Sequence, residues 1–228
     1  MSERATILAR IREALAVAAP TPGHDHRPVG GAPAPPSAAD QRRVLPKVGQ
    51  SFDEQLALFR SNAVELRADF RLLENLDALA AELKQIGAAE SWQRAASHGG
   101  ELTGAACRAL GLPVLLVDQA FDKRELAGCD VGISGCDALV AQTGSVLVTS
   151  RSSGGRALSV LPPHHVVLAR REQLVADLPA AFALLKSKYG AAYPSMISII
   201  TGPSRTGDIE RILVLGAHGP KKLTILCC

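Results

Sequence analysis

The stretch Thr201-Gly202-Pro203-Ser204-Arg205-Thr206-Gly207-Asp208-Ile209-Glu210 carries the densest set of groups able to do chemistry in this chain. Arg205 offers a planar fork that matches a carboxylate or a phosphate, and Ser204 sets a hydroxyl beside it. The stretch follows Met196-Ile197-Ser198-Ile199-Ile200, an apolar run that reads as a buried strand. It precedes Ile209 to Leu215, whose acidic start and apolar spacing read as a helix. Open α/β sheets hold ligands where a strand ends and a helix begins, because free backbone N–H groups and the helix dipole converge there. A structural reading stands beside this one: Gly202-Pro203 makes a turn, Thr206 caps the helix, and Arg205 pairs with Asp208 or Glu210. The loop lacks the Gly-x-x-x-x-Gly-Lys-Ser/Thr pattern of nucleotide hydrolases. Asp208 and Glu210, two positions apart on a helix, point too far from each other to chelate one metal.

Two further glycine-bearing segments belong in the same comparison. In Ala141-Gln142-Thr143-Gly144-Ser145, Gly144 suits a left-handed helix cap before a strand. Alternatively, the Thr143 and Ser145 hydroxyls and the backbone around Gly144 line a pocket for an anion. In Gly216-Ala217-His218-Gly219-Pro220, Gly216 is a natural helix cap, and His218 is either a solvated histidine or a proton carrier. The candidate substrate-binding set is therefore Thr143, Gly144, Ser145, Gly202, Ser204, Arg205, Asp208 and His218, with no catalytic residue assigned. The pair His164-His165 has no carboxylate or thiol nearby in sequence, and no metal site is expected.

Composition narrows the classes. Hydrophobic residues make up 47% and charged residues 21%, ordinary for a globular protein, while aromatics at 4% force an aliphatic core. So few rings argue against stacking on single-stranded nucleic acid, and a net charge of +3 is too small to imply a polyanionic partner. Five cysteines without a C-x-x-C pair suggest reduced thiols, not a disulfide framework or a cluster. No apolar run reaches membrane-spanning length, and Arg10, Arg12 and Glu13 break any secretory core, so a cytoplasmic location is expected.

The elements that must position these residues follow from periodicity. Ser2 can cap a short helix with Ile7, Leu8, Ile11 and Leu15 on one face. Residues from Pro20 to Pro46 are rich in Pro and Gly and read as an extended arm. The helix either docks on the main domain or reaches another chain, a second copy among them. Residues 1–50 are thus an appendage and 51–228 the α/β domain. A helical pattern is expected from Phe52 to about Leu83, either unbroken or resuming at Leu72 after a break, with strands at Val114 to Val117, Val131 to Ile133, Ser145 to Thr149, Val166 to Ala169, Met196 to Ile200 and Leu223 to Leu226. A short helix is expected at Asp137 to Gln142, and a helix from Glu172 to Lys188, interrupted or restarted at Pro179. Strands alternating with helices indicate an α/β fold with a largely parallel sheet.

Taken together, several segments resemble the LUD-domain family: Ala138-Leu139-Val140-Ala141-Gln142-Thr143-Gly144-Ser145, Leu161-Pro162-Pro163-His164, the loop from Thr201 to Glu210, and Gly216-Ala217-His218-Gly219-Pro220. The resemblance runs from about Val114 to the C-terminus. It implies a fold similar to the ribose-5-phosphate isomerase, glucosamine-6-phosphate deaminase and CoA-transferase superfamily. It also implies a role in oxidising L-lactate to pyruvate beside iron–sulfur partner subunits, with the clusters in those partners and no cofactor in this chain. Related sequences often carry Glu where this chain has Gln142, so the resemblance supplies no carboxylate base there. Two other classes remain open: a free-standing enzyme of the superfamily type acting on a small anionic substrate, and a carboxylate-sensing binding module. No nucleic acid and no membrane span enter any of the three.

Overall fold

The computed structural model describes residues 7–10, 12–13, 47–206, 214–216 and 218–228. The chain divides into two units, Met1–Val44 and Leu45–Cys228. In the first, residues 7–10 and 12–13 are helical; the expected cap at Ser2 and the arm lie outside the described residues. Everything below concerns the second unit.

Helix α1 (Phe52–Glu65) starts where Ser51 and Glu54 exchange hydrogen bonds in a capping box, and it buries Phe59 and Ala63. Of the two alternatives for the stretch to Leu83, the broken one holds. Arg67 takes a positive φ of 63° and turns the chain into strand β1 (Asp69–Leu72), and helix α2 (Leu76–Ala89) restarts on an Asn75 cap. Leu66 and Phe70, four apart, imitate helical spacing, whereas the edge-to-face stack of Phe70 on Phe59, with ring centroids 4.9 Å apart, belongs to strand-on-helix packing.

Next come β2 (Ala95–Ser97), α3 (Glu101–Leu110), β3 (Val114–Leu116), α4 (Lys123–Ala127) and β4 (Val131–Ser134). Strands β5 (Ala138–Val140) and β6 (Ser145–Thr149) form a hairpin around a 3-10 turn, Ala141–Thr143. The helix expected from Asp137 to Gln142 is therefore a strand and a turn, because Ala138, Leu139 and Val140 are buried between two layers. Strand β7 (His164–Ala169), a 3-10 turn at Arg171–Gln173 and β8 (Leu174–Val175) lead to helix α5 (Leu178–Tyr189). That helix begins well after Glu172: Asp177 caps it and Pro179 sits in its first turn, where a missing N–H costs nothing. Strands β9 (Ile197–Ile200), β10 (Arg205–Thr206), β11 (Val214–Leu215) and β12 (Lys222–Cys227) complete the chain.

Six strands form one parallel sheet in the order β1-β12-β7-β4-β2-β3. The fold is thus α/β with a mostly parallel sheet flanked by helices, as the alternating pattern implied. A second sheet, β8-β5-β6-β9, is mixed, with β6 antiparallel to both neighbours. Strand β7 shows how its sequence serves two faces. Val166 and Leu168 meet Leu79, Leu83, Ile86 and Trp92 on the α2 side, while Val167 and Ala169 meet Phe59, Leu139, Val146 and Val148 on the other. The outer face of the mixed sheet is covered by Ala181, Leu185 and Tyr189 of α5. Burying each large aliphatic side chain is worth about 1.5–3 kcal/mol, which is how an aromatic-poor chain holds these four layers together.

Strand β9 is an edge strand and not fully buried: Ile197 and Ile199 are 40% and 38% exposed. Thr206 is in a strand where a helix cap was expected, and Val214–Leu215 pairs antiparallel with it where a helix end was expected. The helix expected across 209–213 and the carboxylate of Asp208 lie outside the described residues. Among the described residues, no helix is long and apolar enough to cross a membrane.

Candidate functional site

The Thr201–Ser204 loop is held by its own backbone. Gly202 takes φ +82°, and a Cβ there would sit 2.7 Å from the Leu66 carbonyl oxygen, so the loop turns tightly under the end of α1. Ser204 N–H donates to Pro220 O (2.9 Å), and Gly216 N–H donates to Ser204 O (2.9 Å). These bonds bring the loop against the segment around His218, with Gly219 packed on the Ser204 side chain.

The result is a cleft of about 330 Å³. Gly202, Ser204 and His218 line it, three of the eight residues singled out from the sequence. Arg156, Ser159 and Ser198 add a guanidinium and two hydroxyls, over a floor that includes Ile200 and Leu223. Among the described lining residues there is no carboxylate. Arg156 and His218 are both exposed, so their polar heads meet an entering ligand. The cleft lies at the carboxyl end of β9 but at the amino ends of β7 and β12, since His165 and Leu223 are the second residues of those strands.

His165 closes the inner wall. Complete burial pushes its pKa down to about 3, with His164 beside it adding to the drop, and its Nε2 lies 2.8 Å from Ser134 Oγ. His164 is pushed down to about 4, again by burial first, against the opposing pull of Glu90. Its Nε2 lies 2.9 Å from Thr224 Oγ1, and its ring meets Trp92 edge-on at 5.2 Å. Both histidines are therefore neutral near pH 7 and act as hydrogen-bonding core groups.

The remaining sequence-derived residues sit elsewhere. Gly144, with φ +62°, lies under α1, where a Cβ would come within 2.8 Å of Ala63 N and of Asn62 backbone carbon. Asn62 Nδ2 clamps the same turn by donating to Ala141 O (2.9 Å) and Gln142 O (3.0 Å). Ser145 is buried, and its Oγ lies 2.8 Å from Thr201 Oγ1, which ties this turn to the start of the Gly202 loop. Thr143 Oγ1 is buried with no hydrogen-bond partner among the described residues. None of Thr143, Gly144 and Ser145 lines the cleft. Arg205 is exposed on β10 and is not among the cleft's lining residues either.

Sequence reasoning missed Arg156, Ser159 and Ser198. The signal for the first was present in Ser152-Ser153-Gly154-Gly155-Arg156, a polar glycine pair ending in arginine just ahead of Leu161-Pro162-Pro163. Gly154 is forced there, with φ +65° and a Cβ position 2.5 Å from that of His98.

A layered α/β protein with a cleft lined by an arginine, a histidine and several hydroxyls is the class that fold and site define. The chain belongs to the LUD-domain family, whose model matches residues 74–227. It is 31% identical to a Shouchella clausii protein named lactate utilization protein C, over 75% of this chain and 78% of that one. A Geobacillus kaustophilus protein of the same name is 38% identical, over 46% of this chain and 43% of its own length. Among solved structures, a DUF162-family protein from Deinococcus radiodurans superposes with a TM-score of 0.61 at 21% identity, covering 78% of this chain and 99% of that one. That likeness concerns the fold.

Proposed function

We propose that this chain works in lactate utilisation, as a cytoplasmic subunit that supports oxidation of L-lactate to pyruvate beside iron–sulfur partner subunits. In that reaction two electrons and two protons leave lactate, and the partner clusters take up the electrons. This chain's contribution is to hold an organic anion in the Ser204–His218 cleft. Arg156 would take a carboxylate through its fork, His218 and Ser204 would flank it, and the Ile200–Leu223 floor would exclude water from its apolar part. The observation that carries the reading is the 31% identity to lactate utilization protein C across three quarters of the chain. The absence of any carboxylate among the described cleft residues supports an anion as the occupant.

The test is genetic. A strain lacking this gene should lose growth on L-lactate while growing normally on pyruvate, and the intact gene supplied in trans should restore it. Equal growth of the deletion strain on both acids would refute the role.

A further inference from the structure

The parallel sheet has a second crevice, at the end opposite the cleft. Strands β2 and β4 are neighbours, but their chains leave in opposite directions. After β2 the chain passes through α3 outward to β3; after β4 it crosses to β5 in the mixed sheet. Where neighbouring strands part in this way, their carboxyl ends leave a gap, and open α/β sheets place ligands there. Here the gap is a crevice of about 290 Å³, whose border includes His98, Gly135, Ser152, Arg170 and Lys188 and one carboxylate, Glu101.

Its construction is specific. His98 Nε2 accepts from Gly135 N–H (3.2 Å) and Nδ1 faces Gly99 O (2.9 Å), so one ring bridges the carboxyl ends of both strands. Lys188 is half exposed, yet it is not free to wander. Its Nζ donates to Asp137 Oδ1 at 2.6 Å, Tyr189 OH donates to the same oxygen at 2.6 Å, and the Asp137 side chain is 0% exposed. A wholly buried carboxylate, costly to desolvate, anchors one corner of the ammonium and leaves its other two N–H bonds for the crevice. Arg170 extends from the carboxyl end of β7 to the same opening. Its only ion-pair partner among the described residues is Glu101 at 3.3 Å, whose side chain is 90% exposed, so that pair is weak and easily displaced.

Charge counting then selects the ligand. Asp137 neutralises Lys188, and Glu101 can swing into solvent, which leaves Arg170 as one uncompensated positive charge. We infer that this crevice is a second binding site, for a short monoanionic carboxylate seated between Lys188 and Arg170. The inference goes beyond the lactate role, since it holds for any short acid of that charge.

Titration of the purified full chain with L-lactate, pyruvate, acetate and inorganic phosphate, followed by calorimetry, tests it. At least one of the three carboxylates should bind more tightly than phosphate. Arg170→Gln should weaken that carboxylate by about tenfold or more, the usual worth of a hydrogen bond to a charged group. Lys188→Met should do the same if it folds; because it leaves Asp137 unpaired, the surface change Arg170→Gln is the deciding variant. Lys186→Gln, which removes the same charge from the exposed face of α5, should leave binding unchanged. No binding of any carboxylate, tighter binding of phosphate, or indifference to Arg170→Gln would each overturn the inference. If pyruvate or acetate binds through Arg170 and L-lactate does not, the site stands and only the lactate reading is weakened.

Discussion

Replacing Gly144 with alanine separates a structural turn from a ligand loop. Gly144 has φ +62°, a conformation that costs a residue with a Cβ about 1–2 kcal/mol. The new methyl would also fall 2.7 Å from Asn62 Cβ and 2.8 Å from Ala63 N, so it meets helix backbone that cannot swing aside. Forcing α1 outward adds about 1–3 kcal/mol, the usual cost of overpacking. The expected total is about 2–5 kcal/mol, a large share of the roughly 5–15 kcal/mol that holds a domain together. Gly111 provides the control: its φ is +73°, but nothing lies within 4 Å of the added Cβ. Gly111→Ala should therefore show the backbone penalty alone. Urea unfolding of both variants, analysed for midpoint and slope, gives the difference directly. A Gly144→Ala loss no larger than that of Gly111→Ala would refute the tight approach of α1 to this turn.

Asn62→Ala should cost about 1–3 kcal/mol in the same assay, since two carbonyls lose their donor. The pH dependence of stability should carry the imprint of His164 and His165. Each binds its proton more readily in the unfolded chain, where the ordinary value is 6.5, than in the fold, where it falls to about 4 and about 3. Their stabilisation is complete above about pH 6.5 and shrinks steadily as pH falls from there toward 4 and 3. The urea midpoint should drop over that range, and a flat profile would contradict their neutral burial. Asp137 acts lower down: burial alone would raise its carboxyl, but the Lys188, Ser152 and Tyr189 hydrogen bonds win and hold it below 3.8. The stability it supplies is present above that value and is lost as pH falls through the lower folded one. Asp137→Ala should cost about 1–3 kcal/mol, because it removes the buried acceptor shared by Tyr189 OH and Lys188 Nζ.

The long apolar strands are plain in the sequence, because Val146 to Thr149, Val166 to Ala169 and Leu223 to Leu226 are continuous buried runs of β-branched and aliphatic residues. Strand β1 was hidden because Leu66 and Phe70 extend a helical spacing, and only the turn at Arg67, a non-glycine at positive φ, separates them. Strand β5 was hidden because Ala138-Leu139-Val140 faces protein on both sides and so has no alternation to display. The Gly202–Ser204 loop and His218 stood out as polar groups among turn residues, and the structure sets them on one cleft. Arg156 joins them from a distant loop, a placement that depends on how the Ser152–Gly155 turn packs over His98. The crevice at β2 was harder still. Its strand, Ala95-Ala96-Ser97, is short and made of small residues, so the following His98-Gly99-Gly100-Glu101 was not recognised as a strand end opening a helix.

The central claim is that the Ser204–His218 cleft serves lactate oxidation. Its most direct test is the rate at which L-lactate reduces an artificial electron acceptor through the assembly reconstituted from this chain and the iron–sulfur subunits proposed to work beside it. With Arg156→Ala the rate should fall at least about tenfold, the worth of one charge-assisted hydrogen bond, while the melting temperature, set by packing remote from this exposed side chain, stays the same. An unchanged rate from a variant that folds and assembles normally would contradict the account.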